Sequence, residues 1–391
     1  MKLGYIHISK EEQSKVFRVL KLCSESSALD ELGIGRIRDA FSNMMFPGSS
    51  SLQKHAIYFS LLPQIYKTAC KKKYIRVSEV KSEIIRLEKM VTRKLCASCP
   101  KASGITGSDT VNKRTNDYVK YDPAYIYNSG LLTFEILQSG SIYQLIYSAS
   151  KHLHDKAERV DNTNIKDRES DVKELESNFQ FCKFPVGLDY DIEKDDINLT
   201  MSTADIDFVK GHMLKAHACE KTLFKYLLEH DKLAIPESIF EFDTSHLPSE
   251  LATICENAKT FAKFIHIAHL WYNYLLSKKT DIAILEEFNQ NMEWYHQANP
   301  NIKEVLCDIH ITDNSGIQFC LDVADCLDQN IDGLDDLIRK REALVKRERR
   351  KINSNYLYNP KAPLHHHKLN YRWSTVRTLI QELRGMEVSN G

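Results

Sequence analysis

Two apolar runs at helical spacing, separated by one strong breaker, dominate residues 30–66 (DELGIGRIRDAFSNMMFPGSSSLQKHAIYFSLLPQIY). Ile34, Ile37, Phe41 and Met44/Met45 recur every three or four positions, which gathers them on one face of a helix. Arg36, Arg38 and Asp39 fall elsewhere, and Asp30 and Glu31 stand where that helix begins. Pro47-Gly48 stops it. Ser49, Ser50 and Ser51 offer N-caps for a second helix over residues 52–70. Leu52, Ile57, Phe59, Leu61, Leu62, Ile65 and Tyr66 make this second helix apolar on more than one face, so it is expected at the centre of the fold. Gln53, Lys54 and His55 form its polar first turn, and Pro63 is expected to kink or split it.

The same periodicity extends along the chain and predicts a mainly α protein. Val80, Ile84, Leu87 and Val91 mark an amphipathic helix over 77–94. Asp122-Pro123 is a cap followed by proline in the first turn, and a helix follows to Leu137. Long helices are expected over 202–233, 248–277, 281–295 and 315–349. Only 14 glycines in 391 residues agree with helices over a turn-rich β architecture. Two short strands are expected, at 3–8 and 141–147, with a helix started by Ser9 after the first. The helix–loop–helix–strand order over 77–147 fits a small winged-helix-like α+β unit. Its reading helix would start at Asp122, with Lys101, Lys113, Arg114 and Lys120 just before it. Generic helical packing fits the same order.

Residues 151–177 carry many charges of both signs and few large apolar side chains, the composition of an exposed linker. The expected organisation is therefore an N-terminal helical domain (1–150), this linker, and a C-terminal helical domain with a basic tail region (178–391). The ten cysteines are scattered singly, and the charged start MKLGYIHISKEE does not fit a secretory signal. Both predict a reduced, cytoplasmic protein. The most apolar stretch, 261–276, is interrupted by Lys263, His266 and His269 and is too short for a membrane span.

Reactive constellations are sparse. Cys96 and Cys99 form a CxxC with no second pair to complete a structural zinc site, so two reduced thiols are expected and no metal. His365, His366 and His367 are adjacent, and neighbouring side chains in a surface loop do not converge on one ion. His266 and His269 lie three apart on one helix face, without the glutamate between them that zinc hydrolases use. They are expected as core histidines with hydrogen-bond partners. No phosphate-binding loop or nucleophile elbow is present, and no cofactor is expected. Gly33-Ile34-Gly35 leads into a helix bearing Arg36 and Arg38, an arrangement that holds an anion in some proteins and is a plain helix start in more.

Charge carries the functional signal. The chain is formally neutral, with 53 cations and 53 anions. From residue 339 onward there are 13 Lys/Arg against 4 Asp/Glu, leaving 40 against 49 in the rest. The molecule is thus bipolar. Arg339, Lys340, Arg341, Lys346, Arg347, Arg349, Arg350 and Lys351 form a basic stretch, followed by Tyr371, Arg372 and Trp373 as stacking groups. Cations with aromatics suit binding to a nucleic-acid backbone. Docking on an acidic protein surface suits the same stretch.

Several segments together resemble a family of uncharacterised bacterial proteins. They are the DELGIG opening, IRDAFS, FPG-S-S-x-Q and a hydrophobic helix ending P-x-IY at Tyr66. Later come Tyr125-Ile126-Tyr127 with Ser129-Gly130-Leu131, the helix over 264–273, and Leu369-Asn370-Tyr371-Arg372-Trp373. Asn128 replaces the family's usual tryptophan, and His269 is a second histidine in the aliphatic run. The resemblance implies an antiviral context, because such proteins are encoded in defence islands beside helicases and phospholipase-D-like proteins. It implies no activity. The expectation is a non-enzymatic subunit that binds DNA, a helicase or a nuclease. A nuclease with dispersed carboxylates and a pure scaffold are the alternatives.

Overall fold

The computed structural model describes residues 30–111, 118–160, 181–185, 191–312, 314–329 and 331–386. Its longer helices are α1 (Gly35–Met45), α2 (Tyr58–Cys70), α3 (Val77–Ser98), α4 (Pro123–Thr133), α5 (Ile142–Val160), α6 (Thr203–Lys215), α7 (Leu223–Glu229), α8 (Ser249–Leu276), α9 (Ile282–Ala298), α10 (Ser315–Gln329), α11 (Leu334–Lys346) and α12 (Trp373–Leu383). The protein is mainly α. Among the described residues there is no β-strand, and the one β-type pairing is an isolated antiparallel bridge between Leu137 and Cys182. No described helix is long and apolar enough to cross a membrane.

Several expectations need correction. Residues 142–147 are not a strand but the first turns of α5, so the winged-helix reading loses its wing. The helix expected over 202–233 is two helices, broken where Ala216 is extended and Thr222 caps α7 through Lys225 N. The helix expected over 315–349 is broken by the turn of 3-10 helix at Ile331–Gly333. Residues 151–160 continue α5 instead of forming a linker. The rest of that segment, the strand at 3–8 and the helix after it, and Lys113 and Arg114 lie outside the described residues.

The chain folds into two compact units that do not divide at 151–177. One takes residues 1–45 and 238–371, the other 46–237 and 372–391. In the first unit α8 is the axis, packed by α1, α9 and α11, while α10 packs on α1 and α11. Most of α8 between Phe261 and Leu276 is buried, which is why its sequence is apolar nearly all round. Phe41 of α1 sits between Phe261 (ring centroids 5.6 Å) and Tyr371 (5.7 Å).

In the second unit α2 packs on α3, α4, α5 and α6. Phe59 meets Tyr127 at 5.0 Å and Phe134 at 5.2 Å, both edge-on. Burial of each such ring contributes on the order of 2–3 kcal/mol. Helix α2 starts at Tyr58, not near 52, and Pro63 sits inside it without splitting it. The segment before it is a loop anchored by the buried side chains of Ser49, Gln53 and His55. Gln53 Oε1 accepts from Ser50 N, and Gln53 Nε2 donates to Gly48 O and Ile126 O. Gly48 has φ +73°, and a Cβ there would lie 2.9 Å from both the Phe134 ring and Thr133 Cβ. That position in FPG-S-S-x-Q requires glycine for conformation and for space.

Candidate phosphate interface and a histidine cluster

The basic stretch begins in α11. Its buried face is Leu334, Ile338, Arg341, Glu342 and Lys346, so helical spacing carries two of the cations inward. Arg341 Nε donates to Leu32 O (2.7 Å), Nη2 to Gly33 O (3.3 Å) and Nη1 to Ser315 O (3.1 Å). Its guanidinium also lies over the Phe319 ring at 5.1 Å. Arg341 is thus a staple for the loop before α1. Gly33 in that loop has φ +67°, and a Cβ would lie 2.8 Å from Val345. Glu31, also buried, pairs with Lys346 (3.0 Å) and Lys351 (2.6 Å). Glu342 accepts from Tyr272 OH (2.8 Å), Lys351 N (2.6 Å) and Ile352 N (3.1 Å), which fixes the backbone just beyond the helix.

This corrects the set of candidate phosphate ligands. Arg341 and Lys346 are buried and engaged, and Lys351 is paired with Glu31. Arg339 is half-buried and donates to Asn353 Oδ1 (3.1 Å). The exposed cations are Lys340, Arg347, Arg349 and Arg350. None of these four makes a hydrogen bond or ion pair to another described side chain. Arg347, at φ +51°, turns the chain out of α11 into the single 3-10 turn Arg347–Arg349.

The expected stacking groups are not on the surface. Tyr371 is buried, and its hydroxyl donates to Ala258 O (2.6 Å). Trp373 is buried, and its Nε1 donates to Pro236 O (2.9 Å). Arg372 Nη1 donates to Ser49 O (2.6 Å). The YRW motif is therefore structural. At the candidate anion site of Arg36 and Arg38, the helix start has protein partners of its own. Asp30 Oδ1 already accepts from Leu32 N and Gly33 N (both 3.0 Å). Arg38 gives Nε and Nη2 to Asp39 Oδ1, while Arg36 is exposed.

Cys96 lies at the end of α3 and Cys99 caps it. Burial, with the carboxylate of Asp109 and the Cys99 thiol nearby, pushes the Cys96 thiol up. Among the described residues no group of three or more His, Cys, Asp or Glu is arranged to hold a metal ion.

A histidine cluster, by contrast, assembles from pieces that the sequence keeps a hundred residues apart. His266 and His269 of α8, Glu287 of α9, and His365 and His366 from the segment beyond α11 come together in the first unit. Glu287 bridges two imidazoles, with Oε1 facing His266 Nε2 (3.0 Å) and Oε2 facing His366 Nε2 (2.7 Å). His365 stacks on His269 at 5.2 Å. Asn273, one turn along α8, holds the incoming segment by both backbone groups of Leu364 (Nδ2 to O, 2.6 Å; N to Oδ1, 2.8 Å). His266 Nδ1 and His269 Nε2 are buried with no hydrogen-bond partner among the described residues.

Burial pushes His266 down, against the pull of Glu287. Burial pushes His269 well down, with His365 and His266 adding to it. Burial alone would raise Glu287, but its two imidazole hydrogen bonds win and hold it low. The prediction of ordinary core histidines is thus incomplete: the i, i+3 pair was visible, but nothing in the spacing joins it to Glu287 or to His366.

A family model, that of a family of unknown function (DUF6361), matches residues 1–284. No curated protein and no solved structure matches.

Proposed function

This chain belongs to DUF6361, a family of unknown function, and we propose that it acts as a non-enzymatic subunit of a bacterial antiviral defence system by binding the phosphate backbone of DNA. One observation carries the DNA-binding part. Lys340, Arg347, Arg349 and Arg350 are exposed and make no ion pair with another described side chain, with Glu348 the one carboxylate among the last three, on a backbone held from within by Glu342 and by the Arg341 staple. Cations fixed in this way lose little conformational freedom on meeting phosphates. Because Tyr371 and Trp373 are buried, the surface lacks their stacking, which favours duplex phosphates over splayed single strands. The antiviral context rests on the resemblance to bacterial defence-island proteins. A cytoplasmic setting fits the free thiols of the described cysteines.

The test is binding of the intact chain to a fluorescent duplex and a single strand of matched length across a salt series. The expected result is duplex binding that is indifferent to sequence and falls steeply with salt, with a log–log slope of about −3 to −4 for four phosphate contacts. Salt-independent binding, or preference for the single strand, overturns this reading.

A second reading, docking on an acidic face of a helicase or nuclease, is favoured by two apolar neighbours of the cations. Leu344 is 65% exposed, four residues from Lys340, and Leu357 is 89% exposed. Pulldown from the native host, with nucleic acid removed and then restored, separates the two. A partner retained without nucleic acid supports protein docking or a scaffold. The nuclease alternative needs carboxylates gathered beside a lysine in a cleft. Glu31 with Lys346 and Lys351 supplies lysines but a single carboxylate, which is buried and ion-paired with both.

A further inference from the structure

We propose that residues 359–368 form a strap that is latched across α8 and α9 at neutral pH and lifts on acidification, with His266, His269, His365, His366 and Glu287 as the latch. The strap has little structure of its own. Pro360 and Pro363 donate no backbone hydrogen bond, and the internal bonds are Ala362 N to Asn359 O (3.1 Å) and Lys361 N to Asn359 Oδ1 (3.1 Å). Its attachments are instead to the helices beneath. They include Asn273 on Leu364, Glu287 on His366, and the His269 ring under His365. Just before it, Tyr358 OH donates to Asp281 Oδ2 (2.8 Å). A segment held by side-chain contacts instead of a hydrogen-bond ladder of its own opens locally at low cost.

The latch is charge-sensitive because one carboxylate serves two imidazoles, with two more histidine rings beside them. The charged and titratable groups facing His266 are Glu287, Lys368 and His366, and those facing His269 are His365 and His266. His367 adjoins His366, with ring centroids 5.9 Å apart. Glu287 compensates one imidazolium. A second proton then enters a site where the other charged and titratable groups facing these two rings, among the described residues, are imidazoles and a lysine.

His266 and His269 are both buried, and their unpartnered nitrogens must reach water or an acceptor to carry a proton stably. Lifting the strap supplies water. The closed state therefore binds protons more weakly than the open state. Below about pH 6.5, the ordinary histidine value, proton uptake favours opening. Each such histidine changes the opening equilibrium by up to ~10-fold per pH unit.

Hydrogen–deuterium exchange on the intact chain tests this, read at pH 7.5 and pH 5.5 after correction for intrinsic rates. Exchange of residues 359–368 should rise at least ~10-fold at the lower pH while α8 keeps its protection. Glu287→Gln removes the compensating charge and should move the opening midpoint to higher pH. His269→Gln should make the pH dependence shallower. Asn273→Ala should loosen the strap equally at both pH values, as a purely structural anchor would. Unchanged exchange of 359–368 in the wild type overturns the proposal, and so does loss of protection in α8 in the same step. A wild-type pH profile in both the Glu287 and the His269 variants also overturns it.

Discussion

At the scale of single residues, the charged groups of this chain divide into those that hold the fold and those that face outward. Arg341 belongs to the first kind. Arg341→Ala leaves the carbonyls of Leu32 and Gly33 without their donor, and we expect a loss of about 2–4 kcal/mol in urea unfolding. A loss below ~0.5 kcal/mol would place Arg341 with ordinary surface residues.

His55 gives a pH-dependent case. Its Nδ1 faces Glu382 (2.7 Å) and its Nε2 faces Ser103 O (2.8 Å), so both ring nitrogens have acceptors and the imidazolium is favoured. Burial works against the charge, but Glu382 and the Ser103 carbonyl outweigh it and raise the value. A raised folded value contributes stability that is complete below about pH 6.5 and is lost as pH rises through that raised value. The stability gap between wild type and His55→Asn should therefore narrow from pH 6 to pH 8.5 in thermal unfolding. A constant gap would mean that the ring is neutral.

At the scale of elements, caps decide where helices begin. Ser202 and Asp205 form a reciprocal capping box at α6, and Asp205 also accepts from Ser60 Oγ (2.5 Å) in α2. Ser202→Ala should cost about 1 kcal/mol, measured by urea unfolding. Asp122-Pro123 at α4 was legible in the sequence because its signal is local.

What was not legible is equally physical. Residues 142–147 (IYQLIY) are a short apolar run whose periodicity does not separate strand from helix, and the helix won because it continues into the polar residues that follow. Gln53 and His55 read as a polar first turn, yet they are buried anchors that also reach partners 48 to 327 residues away. Basic residues in the tail were counted as a surface feature. The sequence shows their charge, but only the helix phase and the distant Glu31 reveal which ones turn inward.

At the scale of the molecule, the formal neutrality conceals a basic C-terminal segment set against an acidic remainder, and part of that basic charge is spent inside the fold. The central claim is that the exposed quartet, and not the buried cations, meets the phosphates. The most direct measurement is duplex binding by the fourfold variant of Lys340, Arg347, Arg349 and Arg350 to alanine, across a salt series, beside its unfolding midpoint. Each cation that meets a phosphate should remove about one unit from the salt slope, so binding weakens and the slope flattens. Stability should change little, because these side chains are exposed and make no internal pair. Equal affinity and equal salt slope for wild type and variant would contradict the account.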